Sequence, residues 1–262
     1  MRIKTAILSG VLPLTIATQV AAAVLPSHQT NNTWYTDAAT STETKATTPA
    51  KAKNVILFVG DGMGVSTLTA ARILQGQQNG DLGEENFLSF EAFPHTALVK
   101  TYNVDAQTPD SAGTMTAMMS GVKTDAGVLG VAENIERGDC STVSGNELIT
   151  AIELAEMKGM STGIISTARI THATPAAAYA KSADRNWEDD GDMPAAAKTA
   201  GCEDIASQLV NFEPNLESRI DGADVDGLDV VMGGGRRSFL PKDAAFNSND
   251  AVSGVEGDRT DG

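Results

Sequence analysis

The residue that first suggests chemistry is Asp61, which stands inside the glycine-rich stretch GDGMG at positions 60–64. An apolar run at 54–59 precedes this stretch and a helix-like segment follows it, an order that often forms a cradle for phosphate. A carboxylate in such a cradle would repel phosphate. Asp61 could instead hold a cation, and the cation would then face the anion.

A second candidate is Ser111, in the stretch TPDSAGTMTAMMSGVKT at 108–124. Pro109 and Asp110 can begin a helix, which places Ser111 in the first turn, where backbone N–H groups are unpaired and the helix dipole is positive. A serine oxygen there can act as a nucleophile beside a metal cation. An ordinary N-terminal cap by Asp110 or Ser111 explains the same residues, and the D-S-A triplet alone does not decide.

Three further candidates follow a predicted strand in STARITHATPAAAYAKSADRNW, at 166–187. Pro175 disfavours helical geometry at Thr174, so we expect an extended chain in which His172 and Thr174 reach one metal. The planar guanidinium of Arg185 could grip a tetrahedral oxyanion. Each residue alone is more often structural or solvated. Together with Asp61 they predict a loop-borne site where metal faces phosphate.

The segments that must position these residues alternate between strand-like and helix-like patterns. We predict strands at 55–59, 97–102, 162–166 and 228–232, and helices that include 66–74, 112–120, 147–158 and 204–210. Such alternation predicts an α/β fold with a largely parallel sheet. Ligands of these sheets collect outside the carboxyl ends of the strands, which is where Asp61 stands.

Composition and terminal patterns divide the chain into three parts. Residues 1–23 resemble a cleaved signal peptide, because two basic residues precede an apolar run that ends in AAA; a membrane anchor is the alternative. We expect a flexible arm at 24–53, a single domain from 54 to 262, and no membrane span after cleavage. The net charge of −15 argues against a nucleic-acid groove.

The two cysteines are Cys140 and Cys202. An exported protein meets an oxidising compartment, so a disulfide between them is the first expectation. Free buried thiols and metal ligation are the alternatives, although no C-x-x-C pattern or nearby histidine supports a metal at either cysteine.

Taken together, these stretches resemble the alkaline phosphatase family, in particular the branch shared by animal enzymes and many marine bacteria. The resemblance extends over 54–239 and rests on the phrases NVILFVGDGMG, FPHTALVKTYNVDAQTPDSAGTMTAMMSGVKT, GNELITAIELAEMKGMSTGIISTARITHATPAAAYA, DRNW, GCEDIASQLV and DVVMGGGRRSF. It implies a three-layer αβα domain with a largely parallel central sheet, incomplete at its C-terminus in this chain.

The resemblance also implies an activity and roles for the candidate residues. The reaction is hydrolysis of phosphate monoesters through a phosphoserine, with two Zn²⁺ and one Mg²⁺. Ser111 is the nucleophile, Asp61 bridges zinc and magnesium, His172 and Thr174 belong to the magnesium site, and Arg185 binds two phosphate oxygens. Cys140 and Cys202 match a disulfide of the animal-like branch. Homodimers, with arms reaching the neighbour, are expected in the periplasm or outside the cell.

One departure limits these expectations. The chain has only three histidines, His28, His95 and His172, which do not suffice for a two-zinc centre. We therefore expect further zinc ligands beyond Gly262, and low or no activity for the chain by itself. The alternatives are an exported protein that binds anions or metals without catalysis, a sulfatase or phosphodiesterase on the same scaffold, and a dinucleotide-binding module. The G-x-G-x-G spacing fits the last one poorly.

Overall fold

The computed structural model of the chain describes residues 25–45, 52–247 and 254–261. The predicted signal peptide at 1–23 lies outside these residues, as does part of the predicted arm. Within the described ranges, no helix combines the length and the apolar character that crossing a bilayer requires.

Helices and two strands succeed one another along the described chain. The helices are α1 (Ser27–Thr30), α2 (Thr33–Lys45), α3 (Val65–Gln78), α4 (Ser111–Ser120), α5 (Ala151–Glu156), α6 (Ala173–Ala176), α7 (Ala195–Thr199), α8 (Ile205–Val210) and α9 (Phe212–Arg219). The strands are β1 (Gly163–Arg169), which precedes α6, and β2 (Val230–Gly234), which follows α9.

The two strands pair in parallel, with Ile164 opposite Val231 and Ile165 opposite Met232. A crossover that contains α6 to α9 joins them, as parallel pairing requires. The predicted α/β class with parallel strands is thereby confirmed, and so are the strands predicted at 162–166 and 228–232. The three-layer arrangement around a larger central sheet stays a prediction.

The strands predicted at 55–59 and 97–102 are wrong as secondary structure. Both segments lack a strand assignment, and their apolar side chains are mostly exposed. A strand exists only when a neighbouring strand accepts and donates backbone hydrogen bonds, and no described residue provides that ladder for either segment. The apolar pattern therefore indicates that a segment can form a strand, but it does not show which strand it would pair with.

The predicted helices form, with one of them shortened. Those predicted at 66–74, 112–120 and 204–210 correspond to α3, α4 and α8. The helix predicted at 147–158 is reduced to α5, because a reciprocal cap sets its start. Thr150 Oγ1 accepts from the Glu153 N–H at 3.2 Å, and Glu153 Oε2 accepts from the Thr150 N–H at 2.7 Å.

Helices α1 and α2 lie within the predicted arm. Gln29 in α1 is buried, and its amide donates to the carbonyls of Ser120 at 2.8 Å and Ile149 at 3.1 Å. Its oxygen accepts from the Ile149 N–H at 2.8 Å. These hydrogen bonds satisfy the buried amide and attach α1 to the domain.

The main apolar core joins α4, α6, β1, α8 and α9. It contains Ala112, Met115, Met119, Leu129, Ile164, Ile170, Ala173, Ala176, Ala177, Ala178, Tyr179, Ala180, Ile205, Phe212, Leu216 and Val225. A second apolar cluster surrounds the disulfide between Cys140 and Cys202, whose Cα atoms are 5.8 Å apart. The predicted disulfide is thereby confirmed.

A set of polar contacts attaches the segment 254–261 to the domain. Arg259 forms a two-pronged ion pair with Asp204, with both N–O distances at 3.0 Å. Asp190 accepts from the Thr260 N–H at 2.7 Å and from Lys198 Nζ at 3.1 Å. Burial by itself raises the pKa of the Asp190 carboxyl, but these hydrogen bonds outweigh it and lower the pKa to about 2.

This depressed pKa predicts a pH-dependent contribution of Asp190 to stability. The ionised carboxylate stabilises the fold fully above the pKa of the unfolded chain, about 3.8, and the contribution disappears as the pH falls from about 4 to about 2. We expect Asp190→Asn to lower the free energy of unfolding by about 1–2 kcal/mol at pH 6 and by much less at pH 2.5. Urea unfolding at both pH values measures the difference.

The exposed Asp221 supplies the matched control, since Asp221→Asn removes the same charge at a residue outside segment 254–261. It should change the free energy of unfolding by about 0.5 kcal/mol or less at either pH. A loss in Asp190→Asn that is equal at pH 6 and pH 2.5 would contradict the role given to the ionised carboxylate.

Candidate active site

Ser111 is the first residue of α4, and its hydroxyl is not used to cap that helix. Asp110 is the N-cap, and its Oδ1 accepts from the Gly113 N–H at 3.0 Å. Of the two caps considered from the sequence, the structure therefore has Asp110. The Ser111 hydroxyl accepts a hydrogen bond from Arg185 Nη1 at 3.0 Å and stands at the positive end of the helix dipole.

Arg185 connects three of the polar side chains at the site. Nη1 donates to Asp110 Oδ2 as well as to Ser111 Oγ, each at 3.0 Å. Nη2 lies 3.2 Å from His172 Nε2, and because a guanidinium only donates, the imidazole nitrogen is the acceptor. The backbone N–H of Arg185 donates to the Gly127 carbonyl at 2.8 Å, which fixes the start of its side chain.

The carboxylate of Asp110 was considered from the sequence only as a cap, yet it also positions Arg185. Oδ1 accepts from Asn103 Nδ2 at 2.8 Å, while Oδ2 accepts from the Gly127 N–H at 2.9 Å. Burial raises the pKa of Asp110, but the hydrogen bonds from Gly113, Asn103 and Arg185 together lower it below its usual value. An acid directly before the candidate serine is the sequence signal for this role, although it does not name Arg185 as the partner.

Asp61 lies in the turn between the exposed segment 54–60 and α3. The turn closes through a hydrogen bond from the Met63 N–H to the Gly60 carbonyl at 3.2 Å, and Gly62 has a φ of 65°, which favours glycine. Asp61 Oδ2 accepts from Thr174 Oγ1 at 2.8 Å and lies 3.9 Å from His172 Nδ1. Asp61 thus lies beside His172, whose Nε2 contacts Arg185.

Thr174 lies in a helix, so the prediction of an extended chain from His172 to Thr174 is wrong. His172 is the N-cap of α6, with φ −60° and ψ 147°, and Thr174 is in the first turn of this helix. Pro175 is tolerated there because the N–H groups of a first turn have no intrahelical partner. Both side chains nevertheless lie close to Asp61 Oδ2, at 2.8 Å for Thr174 Oγ1 and 3.9 Å for His172 Nδ1, and their binding to one metal stays a prediction.

Glu188 supports the loop that carries His172. Arg169, at the end of β1, donates Nε and Nη2 to the two Glu188 carboxylate oxygens at 2.7 and 2.6 Å, and Thr171 Oγ1 donates to Oε2 at 2.6 Å. Burial raises the pKa of Glu188, but these hydrogen bonds outweigh it and lower the pKa. The bidentate ion pair between Arg169 and Glu188 therefore holds the loop between β1 and α6 in place.

The imidazole of His172 is held neutral by its surroundings. Burial and the positive charge of Arg185 lower its pKa, while Asp61 acts in the opposite direction more weakly. Because Nε2 accepts from Arg185, the proton of the neutral ring is on Nδ1. Nδ1 is buried without a hydrogen-bond partner, and it lies on the side where Asp61 and Thr174 meet.

The donor atoms around Asp61 fit one side of a cation site. Asp61 Oδ2 and Thr174 Oγ1 are oxygens, the ligands that Mg²⁺ prefers, and the unpartnered Nδ1–H of His172 can donate to an oxygen bound to the cation. Among the described residues, no three His, Cys, Asp or Glu side chains are grouped so that they could hold a metal. The described part of the chain thus offers part of one cation site.

The fit predicts that cation binding depends on the Asp61 carboxylate. We expect Asp61→Asn to weaken Mg²⁺ binding by about tenfold or more. Of the three side chains at this site, Asp61, Thr174 and His172, the Asp61 carboxylate carries the negative charge that attracts the cation. Isothermal titration calorimetry of the purified chain with MgCl₂ measures the dissociation constant. Asp81→Asn, at an exposed aspartate, is the control and should leave it unchanged. Equal binding by both variants would count against the site.

Comparison with known proteins assigns the family. Residues 52–262 match the sequence model of the family described as alkaline phosphatase. The human tissue-nonspecific isozyme of alkaline phosphatase is 43% identical over 260 residues, which cover 97% of this chain and 47% of the relative. The mouse isozyme is 48% identical over 211 residues, covering 80% of this chain and 38% of the relative.

Among solved structures, a cold-active alkaline phosphatase from a psychrophilic Shewanella sp. aligns at 28% identity and a TM-score of 0.49. The alignment covers 70% of this chain and 36% of that one. This chain spans about half the length, or less, of the curated relatives that it matches. The match over residues 52–262 and the identity to the human enzyme show that the chain belongs to the alkaline phosphatase family.

Proposed function

We propose that this chain supplies the nucleophile and the oxyanion clamp of a metal-dependent phosphomonoesterase. The observation that supports this most is the contact of Arg185 with Ser111 at 3.0 Å. A guanidinium beside the hydroxyl can bind the oxygens of a phosphate ester while the serine oxygen attacks phosphorus. Family membership supports the same reaction class, and several of the curated relatives are named alkaline phosphatases.

The proposal assigns a task in the reaction to Ser111, Arg185 and Asp110. Ser111 Oγ attacks phosphorus in line with the leaving alcohol and becomes phosphorylated, and a second displacement by water releases inorganic phosphate. Arg185 donates to two oxygens of the transferred group, and Asp110 keeps its guanidinium in place. The N-terminus of α4 adds a positive field at the serine.

The metals of the proposal are two Zn²⁺ and one Mg²⁺. Asp61 and Thr174 would hold the Mg²⁺, His172 would face it through Nδ1–H, and Asp61 and Ser111 would also contact zinc. When bound, such cations lower the pKa of the serine hydroxyl and stabilise the entering and leaving oxygens. The further zinc ligands would come from polypeptide outside the described residues.

The proposal extends to location and partners. We infer an exported protein, periplasmic or secreted, because residues 1–23 resemble a signal peptide and the Cys140–Cys202 disulfide suits an oxidising compartment. Small phosphate monoesters would be the substrates, since the clamp reads the phosphate group and not the alcohol. A homodimer is inferred from the resemblance alone.

For the 262-residue chain by itself, one observation favours a second function, binding of phosphate and cations without turnover. The described residues group no three His, Cys, Asp or Glu side chains for a metal, so a zinc pair is not assembled from them. Calorimetry with phosphate and an activity assay on the same preparation separate binding from catalysis.

The clamp predicts that phosphate binding depends on Arg185. In saturating MgCl₂, we expect Arg185→Met to weaken binding of inorganic phosphate by about 100-fold, because a charge-assisted two-pronged contact contributes roughly 3 kcal/mol. Calorimetry measures the dissociation constants. Arg236→Met, at an exposed arginine 3.8 Å from Glu256, is the matched control and should bind phosphate like the parent chain. Unchanged binding in Arg185→Met would remove Arg185 as the clamp.

The proposed nucleophile predicts a specific loss of turnover. A suitable enzyme is a chimera in which residues 1–262 are continued by the part of the human relative that they do not match. In it we expect Ser111→Ala to lower phosphate-monoester turnover by about 10³-fold or more while phosphate still binds. Ser120→Ala, at the opposite end of α4, is the control. Turnover that survives in Ser111→Ala would contradict the assignment.

A further inference from the structure

Asn103 is a buried polar residue that contacts the candidate active site from behind Asp110. The residue is 2% exposed, and its Nδ2 donates to Asp110 Oδ1 at 2.8 Å. An ionised carboxylate only accepts hydrogen bonds, so the NH₂ group of the amide, and not its oxygen, must face Asp110. This contact fixes the orientation of the amide.

The oxygen of the same amide, Asn103 Oδ1, is buried and has no hydrogen-bond partner among the described residues. Burial of an unpaired polar oxygen costs free energy, and an apolar side chain of similar size would avoid that cost. Buried polar groups are nearly always paired, so an exception needs a physical reason. The hydrogen bond to Asp110 is what an amide provides at this position and what a leucine would not.

The backbone around Asn103 is held in place without any contribution from Asp110. The next residue, Val104, donates its N–H to the Thr124 carbonyl at 3.1 Å. Asp105 Oδ1 accepts from the Ala126 N–H at 2.8 Å. These two hydrogen bonds attach the turn that carries Asn103 to the segment 124–126, so the amide can act as a fixed support for the carboxylate.

Helix α4 leaves room for the amide at Gly113. A Cβ atom on Gly113 would stand 3.1 Å from Asn103 Cγ and Oδ1, and 2.8 Å from the Asp125 carbonyl oxygen. Both distances are shorter than ordinary van der Waals contact, so a residue without a side chain allows this close approach. The amide therefore lies against the first turn of the helix that Asp110 caps.

We propose that Asn103 is a positioning residue, which holds the Asp110 carboxylate and, through it, the Arg185 guanidinium. Asp110 Oδ1, which Asn103 contacts, also accepts from the Gly113 N–H, while Oδ2 accepts from the Gly127 N–H and from Arg185 Nη1. Because a carboxylate is planar and rigid, restraining one oxygen restrains the other. The effect on phosphate binding rests on the proposed function, whereas the effect on Asp110 does not.

Hydrogen–deuterium exchange at two backbone amides tests the position of Asp110. The Gly113 and Gly127 N–H groups donate to its two oxygens at 3.0 and 2.9 Å, and an N–H in the first turn of a helix has no intrahelical partner. We expect Asn103→Leu to speed exchange at both amides by about tenfold. The midpoint of urea unfolding should stay the same or rise, because no unpaired oxygen is then buried.

Two results would overturn the inference. One is unchanged exchange at Gly113 and Gly127 in Asn103→Leu. The other is faster exchange throughout the domain with a lower urea midpoint, which would make Asn103 a residue of general stability. Asn103→Ala, whose smaller side chain cannot overpack the site, repeats the comparison and should give the same local change in exchange.

Phosphate binding tests the step from Asp110 to Arg185. In saturating MgCl₂, we expect Asn103→Leu to weaken binding of inorganic phosphate by about tenfold, measured by calorimetry. Asn134→Leu, which removes the 2.8 Å hydrogen bond of an exposed amide to Asn146, is the matched control and should bind like the parent chain. In the Arg185→Met background, Asn103→Leu should cause no further loss, because its effect passes through Arg185.

The two measurements separate this inference from the proposed function. A full additional loss of phosphate affinity in the Arg185→Met background would overturn the coupling of Asn103 to Arg185. Faster exchange at Gly113 and Gly127 with unchanged phosphate binding would support the role of Asn103 at Asp110 and count only against the proposed function.

Discussion

The arrangement of the candidate site depends on one shared guanidinium. Arg185 Nη1 is 3.0 Å from both Asp110 Oδ2 and Ser111 Oγ, and Nη2 is 3.2 Å from His172 Nε2. Asp110 divides its oxygens between two tasks, since Oδ1 caps α4 and Oδ2 holds Arg185. A single carboxylate therefore contacts both the start of α4 and the Arg185 guanidinium.

The two halves of the site differ in how firmly the fold supports them. Ser111 and Arg185 stand beside the main core, where Ala112 and Ala180 are buried. The bidentate ion pair between Arg169 and Glu188 holds the loop that carries His172. Asp61, in contrast, follows an exposed segment without a ladder, and its side chain is 46% exposed. The Ser111 side of the site is thus built into the packed domain, whereas the Asp61 side chain is half-exposed and accepts a hydrogen bond from Thr174.

Local signals in the sequence predicted the supported half well. The P-D-S pattern placed the start of α4, and the apolar runs at 162–166 and 228–232 predicted a parallel pair that does form. Contacts between residues far apart in sequence were harder to predict. The runs at 55–59 and 97–102 have strand composition, but a strand needs a partner that no local pattern reveals. Pro175 predicts non-helical geometry at Thr174, yet the first turn of a helix accepts proline, so Thr174 contacts Asp61 from α6.

The charges of the candidate site bear on the proposed binding of a phosphate ester. Arg185 is positive, Asp110 and Asp61 are negative, and His172 adds no charge because burial and Arg185 lower its pKa. The sum is therefore about one negative charge, on a chain whose net charge is −15. A phosphate ester approaching this site meets repulsion from Asp61 that Arg185 alone does not offset, since Asp110 already neutralises the guanidinium. In the proposed function a cation at Asp61 would offset this repulsion, which is how an acidic residue in the glycine-rich turn would be compatible with an anionic substrate.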